Sequence, residues 1–328
     1  MNAKRVLLIG APFHTYHTQV EAAFESLGFA VDYYDDRPSQ NPLVKGVIKI
    51  RKSLANPTIT RYFDKLLSET QQTAYVLVLI INCKVFDPQM IRRLRKSQQS
   101  ARFVLYMWDS LALYPNSERL IPIFDVAYSF DLEDCERVDG LRHLPLFYGE
   151  QFARLGLSSS GDNEYDIVSV CTAHPNRYEV MRRLFPALEA RGVRIFSYMY
   201  LHRLQYLYNK LFEPAFRSAR SSDFRFEALS ERDYLDTLKR SDTVFDIQHS
   251  GQHGLTMRTI EALGARRKLI TTNARIRDYD FYDESNILVL GGQDVDQIKE
   301  FLSSEYRQPA SDIYNRYSLK SWIHAIVG

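Results

Sequence analysis

The stretch Thr243–Asn273, TVFDIQHSGQHGLTMRTIEALGARRKLITTN, decides the fold. An apolar run, TVFDIQ, leads into a polar turn. Leu255, Ile260, Leu263 and Gly264 then recur at helical spacing, and KLITT is a second β-type run. Strand, tight turn, helix and strand make one unit of a parallel sheet. A purely structural unit needs neither the histidines in the turn, His249 and His253, nor the glutamate in the helix, Glu261.

The same alternation extends in both directions. Upstream, YDIVSVCT reads as a strand and Tyr178–Arg191 as a helix stopped by Gly192. VRIFSYMY and a short FRFEALS read as further strands, and Ser230 with Asp233 fits a cap for a helix Glu231–Arg240. Downstream, NILVL closes that sheet, and Ser311–Val327 has helical spacing. The first half repeats the pattern with KRVLLIG, AVDYYDD, AYVLVLIINC, RFVLYMWD, VAYSF and HLPLFY, six strands with interleaved helices. AYVLVLIINC is apolar without alternation, as a strand buried on both faces should be. Pro42–Thr70 is basic and interrupted by Pro57, which predicts helix in pieces.

The expected fold is α/β, with two Rossmann-like doubly wound domains facing a central cleft. Residues 1–155 form the first domain and 156–310 the second, with the break at the polar segment Gly156–Asn163. Residues 311–328 form a C-terminal helix that could return to the first domain.

Composition narrows the function. The 328 residues carry a net charge of +2, too weak a basic excess to imply nucleic acid as partner. The three cysteines are far apart and form no CxxC pair, so neither a zinc site nor a disulfide framework is expected. RVLLIGA is too short for a signal sequence. AYVLVLIINC is about half the length that a membrane span requires. A cytoplasmic protein is expected.

In open α/β sheets ligands sit beyond the carboxyl ends of the strands, which directs attention to the residues just after each strand. LLIGAPFHTYHTQ has one glycine and no GxGxxG, which argues against a dinucleotide site. Its His14 and His17 are either polar loop residues or a base. Asp109, after RFVLYMW, is either a turn residue or a proton acceptor. Asp131, after VAYSF, is a weaker case of the same kind. His174 and Arg177 open a helix, where an arginine fork and free main-chain N–H groups suit phosphate. Gly254 allows close approach of a ligand to the backbone, and Leu255, Thr256 and Met257 supply N–H groups at a helix start. Glu261 could accept from vicinal ribose hydroxyls; alone, it reads as a surface glutamate. The DxD pair Asp278 and Asp280 reads as a turn rather than a metal site. Two runs are basic, Lys45–Ser53 and Arg92–Arg102; the first, with Val47, Ile48 and Ile50 interleaved, fits either a solvated helix face or an anionic membrane surface.

Over Ser230–Leu290, above all GLTMRTIE, KLITTN and DYDFY, the chain resembles the GT-B glycosyltransferases, and among them bacterial capsule and lipopolysaccharide biosynthesis proteins. YMWDS and YSFD, between Tyr106 and Asp131, resemble them more weakly. The resemblance implies transfer of a sugar from a nucleotide-activated donor to a glycan or lipid-linked glycan, with no cofactor beyond that co-substrate and no metal. It implies donor binding by His174, Arg177, Gly254, Leu255, Thr256 and Glu261, and chemistry by Asp109, His14, His17 or His253. Many retaining members carry an acid separated from the glutamate by seven residues; here His253 stands in its place. A nucleotide-sugar epimerase of the same architecture and a non-catalytic sugar-nucleotide-binding protein are the competing readings.

Overall fold

The computed structural model describes residues 3–12, 15–38, 52–114, 117–157, 163–248, 254–292 and 295–328, without the side chains of 52–55. The chain divides into two compact units. One comprises Met1–Pro145 with Trp322–Gly328, the other Leu146–Ser321.

The first unit holds a wholly parallel sheet built from β1 (Lys4–Ile9), β2 (Phe29–Tyr34), β3 (Tyr75–Ile81), β4 (Arg102–Met107), β5 (Val126–Ser129) and β6 (Leu141–His143). The strand order is β2-β1-β3-β4-β5-β6. Its inner strands are apolar along their length because both faces are covered: Leu7, Ile9, Val78, Ile80, Phe103 and Leu105 lie in one buried cluster, and Leu8, Leu79 and Val104 are buried on the opposite face. The helix Pro88–Ser97 begins where Asp87 accepts from the Gln89 and Met90 amides and Pro88 supplies a preset first turn. It packs Met90, Ile91 and Leu94 inward. The segment predicted as broken helix is a continuous helix over its described part, Lys52–Thr70, with Pro57 inside.

The second unit holds a five-stranded parallel sheet made of β7 (Tyr165–Thr172), β8 (Ile195–Tyr200), β9 (Ser241–Asp246), β10 (Lys268–Thr271) and β11 (Ile287–Val289), in the order β11-β10-β9-β7-β8. FRFEALS, expected as a strand, forms no strand; Arg225 makes an isolated bridge with Tyr200, and the Glu227 carbonyl accepts from the Tyr198 hydroxyl. The aromatics explain this. Phe224 is buried with its ring 5.2 Å from Tyr178 and 5.5 Å from Phe216, which turns the backbone off the sheet edge. Ser230 accepts from the Asp233 amide and caps the helix Glu231–Lys239, as its sequence indicates. Lys268 is buried at the start of β10. Its ammonium group donates to the Leu302 and Ser304 carbonyls at 2.7 and 2.8 Å, at the carboxyl end of the helix Val295–Ser303.

The division between units falls after Pro145, ahead of the polar break read at Gly156–Asn163, of which 158–162 lie outside the described residues. The helix Glu150–Leu157 belongs to the second unit. There Gly264 lies directly under Tyr148: a Cβ at Gly264 would stand 2.5 Å from the Tyr148 ring. The C-terminal segment forms two helices, Ser311–Arg316 and Leu319–Val327, because Ser318 caps the second by accepting from the Ser321 amide at 3.2 Å. Within the first unit the Trp322 ring meets Tyr106 edge-on at 4.8 Å, and the Tyr128 hydroxyl donates to the Ala325 carbonyl. Among the described residues no helix is long and apolar enough to cross a membrane.

Candidate functional site

In the second sheet the winding reverses between β7 and β9, the switch point where the strand ends leave a crevice. Side chains from both strand ends are tied together there. Arg177, in the first turn of the helix Pro175–Glu189, donates from Nε to the Ile247 carbonyl at 2.8 Å and from Nη1 to the Thr172 carbonyl at 3.3 Å. Asn176 donates to the Gln248 carbonyl at 3.0 Å. Arg177 therefore fixes the strand ends as well as presenting charge. His174 occupies the N-cap position of that helix, but its ring does not cap it.

The turn after β9 leads to the helix Met257–Gly264, whose N-cap is Thr256. Thr256 accepts from the Thr259 amide at 3.2 Å and donates to Asp246 Oδ2 at 2.6 Å. Asp246, the last residue of β9, is buried, and Thr259 Oγ1 also reaches its Oδ2. The helix start is thus anchored to the end of the strand at the switch point. Gly254 and Leu255 are buried beside it, and the Gly254 carbonyl accepts from the Asn273 amide group at 3.3 Å. Glu261 is 1% exposed and forms an ion pair with Arg258, whose guanidinium lies 4.0 Å from the centroid of the Tyr234 ring. Glu261 is therefore a buried carboxylate held by a half-buried cation, not the surface glutamate that its spacing alone suggests. His249 and His253 lie outside the described residues.

In the first sheet the reversal falls between β1 and β3. Two consecutive non-glycine residues after β3, Asn82 and Cys83, have φ of 63° and 46°. The Asn82 side chain holds this turn. Its Oδ1 accepts from the Trp108 and Asp109 amides at 2.7 and 3.1 Å, and its Nδ2 donates to Asp109 Oδ2 at 3.0 Å. The Tyr114 hydroxyl donates to the same Asp109 oxygen at 3.1 Å. Asp109 is thereby oriented by two donors rather than serving as a helix cap. Asp131 caps the helix Leu132–Arg137 by accepting from the Glu133 amide, a structural role. His17 lies in the helix Tyr16–Ser26, its ring 5.3 Å from Tyr33. Its Nδ1 is shielded from solvent with no hydrogen-bond partner among the described residues. The neighbouring rings of Tyr16 and Trp108 are 5.8 Å apart, which brings the His17 and Asp109 segments together. His14 lies outside the described residues.

The sequence reading missed three groups. Asp246 orders the start of the helix Met257–Gly264, and Asn82 orders Asp109. Asp36 is buried beyond β2, where its Oδ2 accepts from the Lys84 amide at 2.9 Å and desolvation pushes its carboxyl up to about 6. All three lie at or just beyond the carboxyl end of a strand, the one signal that could have selected them. The DxD pair is divided between partners: Asp280 accepts from the Tyr317 hydroxyl at 2.5 Å, and Asp278 pairs with Arg275 at 3.6 Å. The Lys45–Ser53 run lies outside the described residues except for the backbone of its last two.

By sequence, no protein-family profile and no curated protein matches the chain. By structure it is similar to an alpha-glucosyltransferase solved with UDP and a 13-mer DNA, at 12% identity and TM-score 0.61 over 99% of this chain and 100% of that one. It is similar to an alpha,alpha-trehalose-phosphate synthase (UDP-forming) from Burkholderia xenovorans, at 11% identity and TM-score 0.58 over 99% and 100% of the two chains. It also resembles Anabaena Alr3699/HepE solved with UDP-glucose, at 9% identity and TM-score 0.59 over 98% of each. At these identities the likeness is one of fold. Two parallel sheets of six and five strands with flanking helices are shared with the GT-B glycosyltransferases.

Proposed function

We propose that the chain is a metal-independent glycosyltransferase. In this reading it moves a sugar from a nucleotide-activated donor to a hydroxyl of a surface polysaccharide or lipopolysaccharide acceptor on the cytoplasmic side. The observation that carries the reading is the helix Met257–Gly264 starting at the switch point of the second sheet, its first turn fixed through Thr256 to Asp246. Main-chain N–H groups and the positive end of a helix dipole at that place suit a diphosphate. Glu261 accepts from the ribose hydroxyls, which requires Arg258, the more exposed partner of the pair, to swing aside. Arg177 and His174 border the same crevice from the β7 side.

The first unit supplies the acceptor side. Asp109 takes the proton of the acceptor hydroxyl as its oxygen bonds to the anomeric carbon and the sugar–phosphate bond breaks. Asn82 and Tyr114 both donate to Asp109 Oδ2 and so fix the orientation of the carboxylate. His17 is the second candidate for the base, and His14 and His253 remain candidates by sequence.

The test is donor binding followed by turnover. A matching UDP-, GDP-, dTDP- or CMP-linked sugar raises the thermal midpoint of the wild type. Glu261→Ala abolishes that shift, whereas Asp109→Asn keeps it and stops transfer. Chelation of divalent ions leaves the rate unchanged. If no donor in the panel shifts the midpoint, the reading fails; conversion of the donor without any acceptor would mean an epimerase instead.

A further inference from the structure

The helix Arg203–Phe212 in the second unit is amphipathic with its faces reversed. Leu204, Leu207, Tyr208, Leu211 and Phe212 are 71%, 57%, 55%, 71% and 63% exposed. Their spacing of three and four residues places them on one side of the helix. The inward residues are the more polar ones. Asn209 is buried and accepts from the Gln205 amide group at 2.6 Å. Tyr206 anchors the helix with its ring 5.6 Å from Phe224 and 5.7 Å from Phe226. Soluble chains place such leucines singly, so a contiguous stripe of five large apolar side chains marks a contact surface.

Charge identifies what covers it. The helix contains no acidic residue. At 3.6 residues per turn, Arg203 and Lys210 fall along one edge of the stripe. Both are held against the protein beside it: Arg203 lies 4.8 Å from the Phe226 ring centroid, and Lys210 donates to the Ala219 carbonyl at 2.5 Å. The segment His202–Arg225 adds Arg217, Arg220 and Arg225, against Glu213 and Asp223 as its acids. Asp223 already accepts from the Tyr178 hydroxyl and the Arg220 amide. A lipid surface needs no complementary relief and rewards apolar side chains bordered by cations.

We propose that the Leu204–Phe212 face docks the chain on an anionic lipid bilayer, with the leucines and aromatics entering the headgroup boundary and the bordering cations meeting acidic lipids. This surface lies in a different part of the chain from the Lys45–Ser53 run, and its role stands whether or not the protein transfers sugars.

The test is co-sedimentation of the full chain with vesicles of phosphatidylcholine alone and of equal parts phosphatidylcholine and phosphatidylglycerol. The wild type should pellet with the mixed vesicles at low salt, less at high salt, and stay in solution with phosphatidylcholine. The L207S/L211S double variant should bind the mixed vesicles at least about tenfold more weakly with an unchanged thermal midpoint, because both side chains are already in solvent. Leu157→Ser, at a leucine 72% exposed elsewhere in the unit, should bind like the wild type. The proposal is overturned if the wild type stays in the supernatant with the mixed vesicles at low salt, or if the double variant pellets equally well. It is also overturned if the wild type is a dimer that the double variant dissociates while vesicle binding is absent.

Discussion

The Thr256 hydroxyl stands 2.6 Å from Asp246 Oδ2, joining the first residue of a helix cap to the last residue of the strand before it. Thr256 uses its one oxygen twice, accepting from the Thr259 amide and donating to the buried carboxylate. The helix start is thereby tied directly to the strand end.

Thr256→Ala should therefore cost about 1–2 kcal/mol, the usual range for loss of an N-cap, with part of that arising from the deprived carboxylate. Thr256→Ser should recover most of it. Urea unfolding of the three proteins measures this, and equal midpoints for Ala and the wild type would contradict it. In the proposed donor complex, Thr256→Ala should also weaken nucleotide-sugar binding more than its stability loss alone explains.

Asn82 combines a left-handed backbone with three side-chain hydrogen bonds that hold the Asp109 loop. Asn82→Ala should lose those bonds and, with them, asparagine's tolerance of φ near 63°, costing on the order of 3 kcal/mol in total. Asn82→Gly should be about 1 kcal/mol less harmful, since glycine accepts that φ but cannot hold Asp109. Both should slow transfer equally if Asp109 is the base. Chemical denaturation and single-turnover rates of the two variants separate backbone strain from positioning; identical stabilities would show that the backbone term is absent.

Asp36 sets a pH dependence. Burial raises its carboxyl to about 6, so between roughly pH 4 and 6 the folded chain holds a proton that the unfolded chain releases. Its contribution to stability is fully present below the unfolded pKa and is lost as pH rises through the folded one. Asp36→Asn keeps an acceptor for the Lys84 amide and removes the buried charge. It should stabilise the protein at pH 7.5 by up to about 3 kcal/mol and change little at pH 4. Thermal midpoints of both proteins across this range are the measurement, and parallel curves would refute the assignment.

Gly264→Ala tests the packing of Tyr148. The new Cβ would meet Tyr148 Cγ at 2.5 Å and Cβ at 2.6 Å. Tyr148 cannot move easily, because its amide donates to the Tyr317 carbonyl and its carbonyl accepts from the Leu319 amide. Overpacking of about 2–3 kcal/mol is expected, read as a lowered denaturation midpoint. A midpoint equal to that of the wild type would show that the ring can withdraw.

The strands were legible because parallel sheets covered on both faces write continuous apolar runs, as in Tyr75–Ile81 and Arg102–Met107. The helix start at Thr256 was legible from its glycine and its spacing. FRFEALS misled because β-type composition cannot distinguish a strand from aromatics that pack on Tyr178 and Phe216. Asp246 and Asn82 carry no motif; their roles come from residues 10 and 27 positions away, joined only when the sheet forms. Glu261 reads as an ordinary helix glutamate until the helix Glu231–Lys239 brings Tyr234 beneath Arg258. The partners of each polar side chain depend on tertiary proximity, which periodicity does not encode.

The first unit is interrupted in sequence: Leu146–Ser321 intervenes before Trp322–Gly328 returns to it. The order of synthesis therefore runs against the order of completion. The second sheet can be finished while Tyr106, Tyr128 and Arg102 still lack the residues they pack on or donate to. Loss of Trp322–Gly328 would damage the unit made first, not the one to which that segment is adjacent in sequence. A released chain truncated before Trp322 should present a protease-resistant second unit and a first unit that is still open to cleavage.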